Sequence, residues 1–310
     1  MRDAVAILQR GGLVAFPTET VYGLGADASN PMAVARIYEV KGRPASHPVI
    51  VHIGDLGQLA RWAREIPEAA TKLAMRFWPG PLTLVLRRAP SAGSQLTGGQ
   101  DTIGLRIPGH PVALQLLREF GGGIAAPSAN RFGRISPTTA EHVRDDLGRE
   151  IDLVLDGGPC EIGIESTIVD LSRQKAVLLR PGRISAEDIA ATLGTAAEPC
   201  DPAAPRAPGT LQSHYAPRQP LRLVAPERWD ERMQGAPQGR GVLSFRARPG
   251  DDKSIVWIEA STHAERYARD LYANLRALDS SGCDQILVEE PPATAEWTAI
   301  RDRLSRARSG

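Results

Sequence analysis

The chain has 310 residues, 42% hydrophobic and 24% charged, with a formal net charge of +1. That length favours two domains over one, and the near-neutral balance argues against a broad nucleic-acid surface while permitting a local basic cleft. Cys160, Cys200 and Cys283 lie far apart and in no CxxC pair, which excludes a disulfide framework and a zinc site of ordinary spacing. The first residues lack the apolar core of a signal peptide and no apolar run reaches about 18 residues, so a cytoplasmic protein is expected.

In chain order, residues 13–16 are apolar and end at Pro17, predicting a short buried strand. Gly23-Leu24-Gly25 reads as a tight turn. Asn30 and Pro31 supply the cap and first position of a helix with Val34, Ile37 and Tyr38 on its apolar face. Gly42 ends it, so Lys41 and Arg43 flank the break and the chain can turn both cations onto one ligand. Residues 48–53 predict a second strand with Val49, Val51 and Ile53 on one face and His52 on the other. Strand ends, a helix end and two fixed cations point to an anion site.

Residues 66–77 predict a helix, broken by Trp78-Pro79-Gly80-Pro81, then a strand at 82–86 and a loop at 87–101. In 102–107, Ile103, Leu105 and Ile107 share one face and Thr102, Gly104 and Arg106 the other, as a strand closely approached by a ligand would require. A helix at 111–119 leads to Gly121-Gly122-Gly123. Small residues around Ala126 then let the backbone come near a ligand that Ser128 and Asn130 could hydrogen-bond. Ser136 reads as the N-cap of the next helix. Strands are expected at 152–156, 165–170 and 177–180.

Six prolines between Pro199 and Pro220 predict a semi-stiff linker, in which His214 and Tyr215 are odd content for a spacer. Beyond it, strands at 221–225, 242–245, 255–258 and 285–288 alternate with helices, implying a small parallel sheet. Thr262 with Glu265 reads as a capping box for a helix bearing Tyr267, Leu271, Leu275 and Leu278, and a last helix covers 295–307. No P-loop, complete dinucleotide fingerprint, HExxH or GxSxG occurs, and the six histidines show no metal spacing. Each remaining residue has a bland reading too: Lys41 complements a helix dipole, Ser128 and Asn130 form a turn, and His52 is a buried histidine.

Taken in order, PTETVYGLG, KGRP, HPVIVHI, FWPGPLTLVL, TIGLRIPGHP, APSAN, GIESTIVDL and LLRPG resemble the YrdC-type threonylcarbamoyl-AMP synthases. The PGTLQSHYAP segment and the C-terminal α/β part resemble the family's long, two-domain form. The resemblance implies an α/β fold: a YrdC-like domain at 1–192 with a twisted mixed sheet and a concave active-site face, a proline-rich linker over the cleft at 193–220, and a smaller Rossmann-like domain at 221–310. It implies condensation of L-threonine, bicarbonate and ATP to threonylcarbamoyl-AMP and pyrophosphate, for threonylcarbamoyladenosine in tRNA. By the same resemblance Lys41 and Arg43 are catalytic. ATP contacts fall on Lys41, Arg43, His47, Thr102, Ser128, Asn130, Ser136, Arg180, His214 and Tyr215. Threonine contacts fall on Thr20, His52, Arg106, the Ala126 backbone and Ser166. Relatives often carry Asn at the place of His47 and lysines in the linker where Thr210-Leu211-Gln212-Ser213 stands. No protein metal site is implied; Mg2+ arrives with ATP. The partners implied are a downstream tRNA-modifying transferase complex and a weak tRNA contact, with no membrane. Two other readings remain at this point: an RNA-binding module of the same fold, which balanced charge and 5% aromatics disfavour, and a carbamoyl-transfer module of a hydrogenase-maturation protein, which would bring CxxC pairs absent here.

Overall fold

The apolar run ahead of Pro17 is held in β1 (Val14–Phe16) and pairs antiparallel with β2 (Gly23–Asp27), Val14 opposite Gly25 and Phe16 opposite Gly23. Gly23-Leu24-Gly25 is therefore strand and not a turn. The reason is space: a Cβ on Gly25 would stand 2.8 Å from both Phe16 Cε1 and Ile124 Cγ2. This computed structural model describes residues 1–308 apart from 212, 235–238, 251 and 253.

Those described residues form two compact units. One comprises Met1–Phe132, Pro137–Glu161 and Glu165–Thr210; the other comprises Gly133–Ser136, Ile162–Ile164 and the chain from Leu211 on. The division falls inside the proline-rich stretch, whose earlier part packs with the first unit. There Glu198–Pro199 adds a strand, and Ala207 joins Val85, Ile168, Val177 and Leu179 in an apolar cluster.

The first unit is built on a mixed sheet that also contains β3 (Ile50–His52), β4 (Ala63–Arg64), β5 (Leu82–Arg88), β6 (Thr102–Arg106), β7 (Ile124–Ala125), β8 (Leu153–Val154), β9 (Thr167–Asp170), β10 (Val177–Arg180) and β11 (Glu198–Pro199). Its order is β11-β10-β9-β5-β6-β3-β7-β2-β1-β8, with β4 on β5. Period-2 alternation sets what each face carries. Val49, Val51 and Ile53, Leu82, Leu84 and Leu86, and Ile103, Leu105 and Ile107 enter the main core. The opposite face collects the intervening residues in register: Ile50 beside Gly104, His52 beside Arg106, Val85 beside Gly104, Thr83 beside Ile168 and Ile168 beside Arg180.

Helix Pro31–Lys41 starts on the Asn30 side chain, which accepts from the Met32 and Ala33 amides, and stops at Gly42 in the left-handed region (φ 62°). Helices Glu68–Phe77 and Pro111–Phe120 follow the apolar pattern. Two departures concern caps. Thr139, not Ser136, caps helix Ala140–Leu147, because the carbonyls of Pro137 and Thr138 are still engaged by the amides of Tyr22 and Cys160. Helices Arg2–Gln9 and Ala186–Leu193 were not anticipated, although Ser185 and Asp188 form a full capping box.

In the second unit β12 (Leu221–Val224), β13 (Arg240–Ser244), β14 (Ile255–Glu259) and β15 (Gln285–Glu289) form a sheet in the order β12-β15-β13-β14, every pairing parallel. Helix Ala264–Asp279 buries Tyr267, Leu271, Tyr272, Leu275 and Leu278. His263 holds its N-cap position without a side-chain cap, which puts Glu265 one place too early for a box with Thr262. Among the described residues no helix is long and apolar enough to cross a membrane.

Candidate active site

Where helix Pro31–Lys41 unwinds at Gly42, the turn drives two cations inward. Lys41 is buried; its Nζ donates to the carbonyls of Ser128 (2.6 Å) and Asn130 (2.5 Å), and the Phe132 amide donates back to the Lys41 carbonyl (2.8 Å). Arg43, also buried, donates to the Pro48 carbonyl (2.7 Å) and lies over the Phe132 ring, 5.4 Å from its centroid. His47 meets the same ring edge-on at 5.3 Å. Lys41, Arg43, His47, Ser128 and Asn130 are thus gathered around Phe132, which sequence reasoning missed. Burial, and then the Arg43 charge, push the Lys41 pKa well below the usual lysine range; the same causes in the same order, with Arg206 added, lower that of His47.

The face of β3 and β6 turned from the main core carries a second group. Arg106 donates from Nε to the Gly80 carbonyl (3.1 Å) and from Nη1 to Thr20 Oγ1 (3.0 Å), and its Nη2 lies 2.7 Å from Glu19 Oε1. His52, paired with Arg106 across the two strands, is buried edge-on to Phe16. Burial first, then the Arg106 charge, drive its pKa down to about 3, so the ring is neutral. The Ala126 amide donates to the Ile50 carbonyl (2.9 Å).

The third group joins β5, β9 and β10. Arg180 donates from Nε and Nη2 to the Ser166 carbonyl (3.0 and 2.9 Å), from Nη2 to Ser166 Oγ (3.2 Å) and from Nη1 to the Pro208 carbonyl (2.8 Å). Ser166 Oγ is also 2.8 Å from Thr83 Oγ1. Thr83, Thr102 and Gly104 line a small cavity together with Arg206, Ala207 and Pro208. Gln100 ties Arg206 in place: its side chain accepts from the Arg206 amide (2.7 Å) and donates to the Arg206 carbonyl (3.1 Å).

Three anticipated ATP residues, Ser136, His214 and Tyr215, belong to the second unit. Ser136 is buried and its carbonyl accepts from Arg276 (3.4 Å). Tyr215, with φ 62°, stacks on Tyr272 (5.7 Å) beneath the Arg303 guanidinium (5.4 Å), and His214 meets the Tyr215 ring at 4.1 Å. Glu19, Thr83 and the Gly80 carbonyl joined the site without a signal of their own in the sequence. Among the described residues no three His, Cys, Asp or Glu are grouped to hold a metal.

Four buried cations, each against backbone carbonyls or a buried carboxylate, stand in an α/β unit built on a mixed sheet, an arrangement chemically suited to anions. Residues 6–182 match a family model described as "Telomere recombination", and residues 184–309 one described as "Threonylcarbamoyl-AMP synthase, C-terminal domain". The chain is 44% identical to the threonylcarbamoyl-AMP synthase of Bacillus subtilis, over 99% of this chain and 92% of that protein. It is 40% identical to that of Pyrococcus abyssi, over 99% and 93%. The crystal structure of P. abyssi Sua5 complexed with L-threonine superposes with a TM-score of 0.89 at 39% identity, covering 99% of this chain and 93% of that one. The chain belongs to the threonylcarbamoyl-AMP synthase family.

Proposed function

We propose that this chain is an L-threonylcarbamoyladenylate synthase, a nucleotidyltransferase that converts L-threonine, bicarbonate and ATP to threonylcarbamoyl-AMP and pyrophosphate. The likeness over 99% of the chain to a synthase of that activity carries the reading, and the buried cations give it a chemical basis. The threonine amine adds to bicarbonate to give a carbamate and water. A carbamate oxygen then forms a bond to the α-phosphorus as the bond to the pyrophosphate oxygen breaks. Two anions must meet, so fixed positive charge has to stand in the cleft beforehand.

In this reading Lys41 and Arg43 take triphosphate oxygens, Arg43 through a planar fork that bonds two at once. Arg106 holds the threonine carboxylate and thereby orients the amine. His52, being neutral, packs beside the amino acid without adding charge, and Ser166 and Thr20 offer hydroxyls. Arg180 steadies Ser166 while facing the nucleotide, with Thr102, Ser128, Asn130 and His47 as further ATP contacts. Ser136, His214 and Tyr215 remain assigned to ATP from sequence. Positioning and charge stabilisation suffice, and no covalent enzyme intermediate is needed. In this reading Mg2+ comes with the substrate as MgATP, bound chiefly by phosphate oxygens.

The product is a mixed anhydride of a carbamic and a phosphoric acid. A transferase acting on adenosine in tRNA is the partner its chemistry calls for. The test is pyrophosphate release from ATP and bicarbonate across a panel of amino acids. Release that depends on L-threonine supports the reading. A salt-sensitive tRNA shift with no turnover would refute it in favour of a non-catalytic RNA-binding module.

A further inference from the structure

Glu19 sits in the Thr18-Glu19-Thr20 loop that follows β1 and has no part in the assignments above. It is 7% exposed. Its Oε1 lies 2.7 Å from Arg106 Nη2 in an ion pair, yet neither Oε1 nor Oε2, both buried, accepts a hydrogen bond among the described residues. A buried carboxylate oxygen left without a donor is costly and calls for an explanation.

Its neighbours do not supply the missing donor. The Thr18 hydroxyl donates to the Val21 carbonyl (2.6 Å) and Thr20 Oγ1 is taken by Thr18 and Arg106. The Cys160 thiol keeps its S–H, burial first and the Glu19 charge second pushing its pKa up to about 12, but it makes no hydrogen bond to Glu19 among the described residues. Arg106 uses one N–H at Nε for Gly80 and one at Nη1 for Thr20, while Nη2, 2.7 Å from Glu19 Oε1, makes no hydrogen bond among the described residues. A guanidinium has five N–H donors, so three remain. The site therefore presents a cation with unused donors beside an anion with unused acceptors, in a buried place. An α-amino acid zwitterion carries the complementary pair on adjacent bonds.

We propose that Glu19 and Arg106 form a clamp for the zwitterion, in which Glu19 Oε2 receives the α-ammonium of the amino-acid substrate while Arg106 holds its carboxylate. This rests on the amino-acid-activating reading above. Glu19 is then a specificity-determining residue: it rejects hydroxy acids that keep the carboxylate and lack the amine.

Binding of three probes to the full-length protein tests it by calorimetry: L-threonine, β-hydroxybutyrate, which lacks the amine, and threoninol, which lacks the carboxylate. Glu19→Gln is expected to weaken L-threonine by about 10²-fold and to erase the preference over β-hydroxybutyrate, leaving the preference over threoninol and ATP affinity unchanged. Loss of the preference over threoninol, with that over β-hydroxybutyrate intact, overturns the proposal, because Glu19 would then only orient Arg106. If Glu19→Gln fails to fold, Glu19→Asp, which keeps the charge but shortens its reach, is compared in the same way; a folded Glu19→Asp with wild-type discrimination also overturns it. Should the wild-type protein bind another amino acid and not threonine, the functional reading fails alone. The same deletions of amine and carboxylate on that amino acid then decide the clamp.

Discussion

Replacing Lys41 by Met removes an ammonium at nearly constant volume. The Ser128 and Asn130 carbonyls, 2.6 and 2.5 Å from Nζ, lose a donor, at about 1–3 kcal/mol for each that stays dry. Against this, the burial that pushes the Lys41 pKa well below its usual range is itself a cost, and it vanishes with the charge. The backbone bond from the Phe132 amide to the residue 41 carbonyl survives. The two terms oppose each other, and a net change within about 2 kcal/mol is expected, a melting shift of no more than about 8 °C. Activity responds differently, because nothing replaces a positive charge against phosphate oxygens: pyrophosphate release should fall by about 10²-fold or more at saturating substrates. A folded Lys41→Met protein within about threefold of wild-type turnover would refute the reasoning and reduce the lysine to a tether for the 128–132 loop.

Arg43→Lys keeps the charge but loses the fork and the stacking on Phe132 (5.4 Å); a drop in turnover of about 10-fold or more is expected, and wild-type rates would show that a point charge suffices. Gly182→Ala would place a Cβ 2.4 Å from the Thr167 amide nitrogen and 2.8 Å from the Ser166 carbonyl carbon. The backbone holding Ser166 to Arg180 must then shift, and a loss of about 1–3 kcal/mol in denaturant unfolding, with raised KM for threonine, is expected. For His52 the folded pKa, about 3, lies below the ordinary 6.5, so between those values the unfolded chain binds a proton that the folded one does not. The stability tied to the neutral ring is complete above pH 6.5 and is lost as pH falls towards 3, by up to about 1.4 kcal/mol per pH unit. Urea unfolding at pH 7, 5 and 4 should show a shallower acid slope for His52→Asn than for wild type; equal slopes would remove His52 from the account.

Much of the face that bears the site follows from alternation alone. Ile103, Leu105 and Ile107 against Thr102, Gly104 and Arg106 named both sides of β6, and Asn30, Pro31 and Gly42 bounded the helix that delivers Lys41. What failed was what depends on distant chain. Gly25 looks like a residue placed for backbone freedom, whereas Phe16 and Ile124, each 2.8 Å from where its Cβ would stand, need it for room. Ser136 has the chemistry of a cap, yet the hydrogen bonds from Tyr22 and Cys160 to Pro137 and Thr138 delay the helix until Thr139 takes that role. Glu19 and Phe132 escaped notice for a related reason: a single acid between threonines and a single ring after APSAN have no spacing to betray them. Only pairing with Arg106 and stacking with Arg43 give them a role.

The partners of the buried cations bear on how such a site persists without substrate. Lys41, Arg43 and Arg180 donate to carbonyls of Ser128, Asn130, Pro48, Ser166 and Pro208. A carbonyl dipole satisfies a hydrogen bond without cancelling a charge, so these side chains are fixed in direction while their fields stay available. Arg106 has a buried carboxylate directly against it as well. An amino acid, neutral overall, is best met by a cation and an anion together, which is what the proposed clamp offers it.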